Sequence, residues 1–274
     1  MKPVILSLLA AVCWAVSGSF YKKALERVSP QAAVFHRSFV AAVLFLITSL
    51  DELEEVLRLD AVSLLILVAS AFLAFFAGDL LYFYSLRVSD LSVAFPISST
   101  YPIFVVLISY TYAGFHPIPL LSAVMVTAAI FILYWSGRAS GAGYALAAAL
   151  SWSLAIVSLD YLTARLSTET LAFYRMAIVL PFLAAMAGGE IRDARSFVFA
   201  GLLGGSVSFV GIYLFIDSVR LASSQLVVQP SASSAVFAAL IGKVAFKEKV
   251  DARLAVALSL CVAATLLLLQ LPPR

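Results

Sequence analysis

The sequence predicts an all-α integral membrane protein: ten transmembrane helices, arranged as two inverted five-helix repeats around a central cavity. Three observations carry this. Hydrophobic residues make up 63% of the 274 and charged residues 12%, against about 45–50% and about 25% in a soluble domain. With a mean hydropathy of +1.06, too few polar residues remain to cover a water-facing surface. The chain also repeats itself. Trp14, Arg27, Ser29, Phe35 and Arg37 recur as Trp152, Arg165, Ser167, Phe173 and Arg175, each 138 positions on, a shift of half the chain. Finally, each half holds five apolar runs of roughly the 20 residues that a bilayer crossing needs. An odd number of crossings starts the second half on the opposite side of the membrane, so the two halves are inverted copies.

Charge clusters bound the runs. In the first half they cover 4–21, 32–50, 62–86, 92–113 and 119–136; in the second, 143–162, 170–187, 197–217, 224–246 and 253–271. The first follows Met1-Lys2 and contains the repeated Trp14, so it is read as a retained helix rather than a cleaved signal peptide. Lys22 and Lys23 close it. The acidic loop Asp51–Glu55 separates the second run from the third. Short polar breaks at Ser89-Asp90 and Ala222-Ser223 split the third from the fourth and the eighth from the ninth. A Gly- and Ser-rich joint, 136–143, links the repeats, which are assigned to 1–137 and 143–274. Further pairs extend the match. Gly78, Ser85 and Arg87 correspond to Gly211, Ser218 and Arg220 at an offset of 133, and Pro96 and Ser99 to Pro230 and Ser233 at 134. The offset drifts because loops tolerate length changes.

Other classes fall away. The net charge is only +3, with no basic cluster interleaved with aromatics, so nucleic acid is not a partner. Cys13 and Cys261 lie in apolar runs and read as small core residues. There is no HExxH pair, Walker A loop or G-x-S-x-G elbow, and the two histidines, His36 and His116, are too few for a histidine-rich metal site. No catalytic residue, metal or cofactor is expected. The absence of asparagine is a habit of heat-adapted proteins. Of the 18 Lys and Arg, twelve fall on the side away from the N-terminus and six on its own side. The positive-inside rule then puts both termini outside.

An ionisable residue deep in a membrane helix is a functional candidate by default. Asp79 sits in mid-helix with Tyr82 one turn on. It reads either as a carboxylate that binds a cation or relays a proton, or as an Asp that caps or pairs within the bundle. Asp217, near a helix end, reads first as an interfacial partner of Arg220. Arg37 and Arg175 could hold an anionic group or snorkel to the interface. Inverted repeats put them at opposite surfaces, which favours gating or anchoring over a shared clamp. The fourth and ninth runs are polar and Pro-interrupted, carrying Ser98, Ser99 and Tyr101 in one half and Gln225, Gln229 and Ser233 in the other. Matched interrupted segments point to a transporter's binding site; small residues that allow close helix packing are the alternative. Trp14 and Trp152 lie mid-helix, away from an interfacial belt, and either line the cavity or wedge the repeats together. Tyr213 adds an aromatic surface with a hydroxyl handle.

These features, in this order in both halves, resemble the drug/metabolite transporter superfamily in its ten-helix branch of two EamA-type repeats. The resemblance rests on Trp14 and Trp152, Arg37 and Arg175, the patterns Tyr82–Arg87 and Phe215–Arg220, Pro96 and Pro230, and Glu248 within Phe246–Lys249. The first half has Gly114-Phe-His-Pro117 where that acid would stand. The resemblance implies a basket of helices working by alternating access in the cell membrane, both termini cytoplasmic. It also implies a monomer or homodimer that moves amino acids, metabolites or drugs, often outward and coupled to protons. An intramembrane enzyme and a non-transporting scaffold are the rival classes. The first would need a His/Asp/Glu cluster, and the second would have no use for matched Pro breaks.

Overall fold

The computed structural model describes residues 1–89, 91–134, 140–245 and 252–271, and among them every regular element is helical. In chain order these are α1 (Lys2–Ala24), α2 (Pro30–Thr48), α3 (Ala61–Val88), α4 (Leu91–Ser98), α5 (Tyr101–Ala113), α6 (Pro117–Tyr134), α7 (Ala142–Leu162), α8 (Thr168–Arg192), α9 (Ala194–Leu221), α10 (Ser224–Ala232), α11 (Ser234–Ala245) and α12 (Ala252–Leu268). Seven helical runs among the described residues are long and apolar enough to cross a bilayer: α1, α2, α3, α7, α8, α9 and Ser224–Ile241. Tyr101–Ala113, Pro117–Leu133 and Ala252–Leu268 are shorter apolar helices.

Local chemistry sets the helix starts, and it repeats. Ser29 Oγ accepts the Ala32 N–H and Ser167 Oγ the Thr170 N–H, both at 3.3 Å. These N-caps satisfy one otherwise orphaned donor each. Pro102 falls in the first turn of α5, where its missing N–H costs nothing. The fourth sequence run breaks at Ser99-Thr100, and the ninth breaks at Ser233. Two wide-turn π segments were not legible beforehand, Phe72–Gly78 within α3 and Phe197–Gly205 within α9. Such segments recur at functional sites.

Packing follows residue size. On α1 the large Ile5, Leu9 and Val12 are exposed while Ala10 and Ala11 are fully buried. Lipid competes for large apolar side chains, so small residues set how closely membrane helices approach. α1 runs along α9, and α7, its counterpart, runs along α3. α2 packs on α8, and α6 on α12. α1 also touches α10 and α11, as α7 touches α4 and α5. Each half therefore reaches across to the other, and the interior lies where α1, α2, α3, α7, α8 and α9 converge.

Candidate functional site

At that convergence lies a cavity of about 170 Å³, walled by residues of both halves. Its two ends of sequence are built alike. Trp152 of α7 packs so tightly on Gly78 of α3 that a Cβ there would stand 2.4 Å from the indole Cδ1. Trp14 of α1 packs on Gly211 of α9, where a Cβ would stand 3.0 Å from Nε1. One turn on, Trp152 meets the Tyr82 ring and Trp14 the Phe215 ring, each with centroids 5.3 Å apart. The repeated tryptophans thus both line the cavity and interlock the halves.

The polar centre lies on one side. Arg37 of α2 donates to Asp79 of α3 in a buried ion pair, and its Nε donates to Ser208 Oγ at 3.3 Å. Asp79 Oδ1 accepts a second bond from Trp152 Nε1 at 3.2 Å. A buried charge pair holds only when its remaining lone pairs and protons are satisfied, and Ser208 and Trp152 serve that need. Tyr101 donates to or accepts from Ser231 Oγ at 2.8 Å, while Ser98 donates to the Phe95 carbonyl of its own helix.

Of the residues singled out in the sequence, the wall contains Trp14, Arg37, Asp79, Tyr82, Ser98, Ser99, Tyr101, Trp152 and Arg175. Tyr213, Gln225, Gln229 and Ser233 are not part of it. Gln229 Nε2 instead donates to the Pro119 carbonyl at 3.1 Å and to the Gln225 carbonyl at 2.7 Å, tying α10 to the start of α6. Ser233 is buried at the break between α10 and α11. Glu248 lies outside the described residues.

Two expectations need correction. Arg37 and Arg175 do not part to opposite surfaces. They are 5% and 4% exposed, and their guanidinium carbons stand 5.4 and 5.0 Å from the centroid of one ring, Phe75. Each is the eighth residue of its helix, so at 1.5 Å per residue it lies about 10 Å along the axis from the helix start. Asp217 does not pair with Arg220 among the described residues. Arg220 donates instead to the Thr163 and Leu166 carbonyls, as Arg87 donates to that of Val28. A guanidinium offers five donors, and the carbonyls just past the ends of α7 and α1 accept them.

Sequence reasoning missed Tyr21, Phe75, Ser208 and Phe215 in the wall. Phe215 was reachable, since it is the repeat counterpart of Tyr82. Ser208 and Phe75 are repeat counterparts of unlike chemistry, so the repeat did not mark them.

Comparison with known proteins agrees with this architecture. The model of the EamA-like transporter family matches residues 1–135 and again 139–270. A protein of Archaeoglobus fulgidus named as an uncharacterized transporter is 42% identical over 278 residues, spanning 100% of this chain and 99% of that one. A protein crystal structure superposes with a TM-score of 0.77, covering 97% of this chain and 95% of that chain at 19% identity. At that identity the likeness concerns the fold alone.

Proposed function

The chain belongs to the EamA-like transporter family, and from that premise we propose a secondary active exporter of a small organic solute, driven by protons and working by alternating access in the cell membrane. We read ten crossings: the seven long runs, α6, α12, and α4 with α5 as one broken crossing. The reciprocal packing of α1 on α9 and α7 on α3 supports an inverted five-plus-five arrangement. In this reading Trp14, Tyr82, Ser98, Ser99, Tyr101 and Trp152 face the solute, and no chemical conversion takes place.

The observation that carries the reading is the Asp79–Arg37 pair in the wall of a cavity enclosed by both halves. While Asp79 is ionised, the pair ties α3 to α2. A proton on Asp79 removes the attraction and strands Arg37 in a desolvated site, which is costly. The helices then favour a new arrangement in which water or solute reaches Arg37. Proton uptake and rearrangement become one event, with Asp79 as coupling residue and Arg37 as its gate partner.

Asp79→Asn tests this in proteoliposomes. Flux driven by an imposed pH gradient should fall to the level of simple exchange, while exchange itself persists. Gradient-driven flux equal to wild type would refute the coupling. Inside-out vesicles that fail to accumulate solute would refute the outward direction. An active periplasm-only reporter at the C-terminus would favour the charge-count orientation over that of the family.

A further inference from the structure

The two halves match, but their two buried arginines do not have matching company. Arg37 is held by Asp79 of its own half and Ser208 of the other. At the 133-residue offset that relates Gly78 to Gly211, Asp79 corresponds to Ile212 and Ser208 to Phe75. By the repeat, the counterparts of the carboxylate and hydroxyl that hold Arg37 are therefore an isoleucine and a phenyl ring. The geometry agrees. Arg175 lines the cavity, lies 5.0 Å from the Phe75 centroid, and its Nε has no hydrogen-bond partner. No ion pair among the described residues includes it. Guanidinium keeps its charge in proteins, and a buried, unpaired charge is among the costliest features a fold can carry. A ligand that brings the missing acceptors removes that cost.

We propose that the cavity takes a small organic monocarboxylate and that Arg175 holds its carboxylate. This rests on the transporter reading above and narrows its solute class. The described wall carries two positive charges, Arg37 and Arg175, and one negative, Asp79, so one anionic group balances it. A zwitterion or an amine brings an ammonium. The only carboxylate among the described wall residues is Asp79, and Arg37 already occupies it. Acids without a free amine are therefore favoured over amino acids. Size narrows the class further. The cavity, at about 170 Å³, is close to the roughly 150 Å³ that accommodates benzene in an engineered apolar site. The solute body is then one ring, or a branched chain of that bulk, set against Trp14, Tyr82, Trp152 and Phe215.

The test uses four ligands that share a benzyl group on the full chain in nanodiscs, read by calorimetry: phenylacetate, phenylacetamide, phenethylamine and phenylalanine. Phenylacetate should bind at least about tenfold tighter than the others, the size expected of a charged hydrogen bond. Arg175→Gln should bring the acid down to the level of the amide. Ile212→Asp retains Arg175 but places a carboxyl at the counterpart of Asp79, and should abolish the preference in the same way. It decides the matter should Arg175→Gln fail to fold. Acid bound no better than amide, or Ile212→Asp with unchanged acid affinity, overturns the proposal. The two readings fail separately. Proteoliposomes that move the amide, amine or zwitterion but not the acid keep the transporter and reject the anion; proteoliposomes that move none of the four, nor any of a wider panel of neutral and cationic metabolites, reject both.

Discussion

Gly78→Ala should destabilise the protein far more than the equivalent Gly211→Ala, and the structure gives the size of the difference. A Cβ at Gly78 would stand 2.4 Å from Trp152 Cδ1, 2.5 Å from its Nε1 and 2.8 Å from the Leu73 carbonyl oxygen. Normal carbon contacts are about 3.5–4.0 Å, so the indole must retreat by about 1 Å. Retreat breaks the 3.2 Å bonds from Nε1 to Asp79 and to the Ala74 carbonyl. Overpacking costs about 1–3 kcal/mol and each lost bond about 1 kcal/mol. Replacing glycine within a helix returns about 1 kcal/mol. The net loss is about 2–4 kcal/mol. At Gly211 the nearest atoms, Cys13 Cβ and Trp14 Nε1, are both at 3.0 Å. A shift of a few tenths of an ångström suffices, and the helix gain of about 1 kcal/mol cancels most of the cost. At about 2–4 °C per kcal/mol, Gly78→Ala should lower the melting temperature of the detergent-solubilised protein by about 5 °C or more, and Gly211→Ala should barely change it. Trp152→Phe, which shortens the ring system, should relieve most of the Gly78→Ala loss. Equal losses at the two glycines, or no relief from Trp152→Phe, would refute the reasoning.

Two further outcomes follow from the ends of the bundle. Asp60 caps α3: its carboxylate accepts the Ser63 N–H at 2.7 Å, and that bond, followed by the Ser63 hydroxyl, holds its pKa below the usual carboxylate range. A carboxyl depressed in the folded state stabilises above its ordinary value and loses that effect as pH falls through the lowered one. Asp60→Asn should keep the cap and flatten melting temperature against pH on the acid side; an unchanged acid-side slope would refute it. Glu190 accepts the Ser29 N–H and Glu55 the Ser167 N–H, both at 2.6 Å, which ties α8 to the start of α2 and the 51–55 loop to the start of α8. After solvent screening each bond is worth about 1 kcal/mol. Glu55→Ala should therefore speed amide exchange about fivefold at Ser167 alone, and Glu190→Ala at Ser29 alone. Loosening of both amides in either variant would show that the ties are not local.

Much of this was legible from local pattern. Hydropathy runs found the helical segments to within a few residues, because a backbone in lipid must satisfy its own hydrogen bonds and does so as helix. The 138-residue shift found the partners Trp14 and Trp152, Arg37 and Arg175, and marked Asp79 as unmatched. All five lie in the described cavity wall, most of whose other residues the repeat did not mark. What failed was direction. Gln229 and Ser233 had the right composition for a cavity, but Gln229 bonds the start of α6, Ser233 is buried at the helix break, and no α10 residue is in the described wall. Arg37 and Arg175 were assigned to opposite surfaces because side was inferred from helix order alone.

The amino-acid sequence was enough to establish a membrane-embedded helical chain in two matching halves, because hydropathy and duplication are written along the chain and need no folding to be read. It did not contain the meeting of Arg37 with Asp79 and Ser208, nor the solitary setting of Arg175 above Phe75. Those depend on how helices from distant parts of the chain cross, which nothing along the chain spells out. Only the assembled bundle brings Asp79 and Ser208 to Arg37 and sets Arg175 beside Phe75 without an ion-pair partner among the described residues.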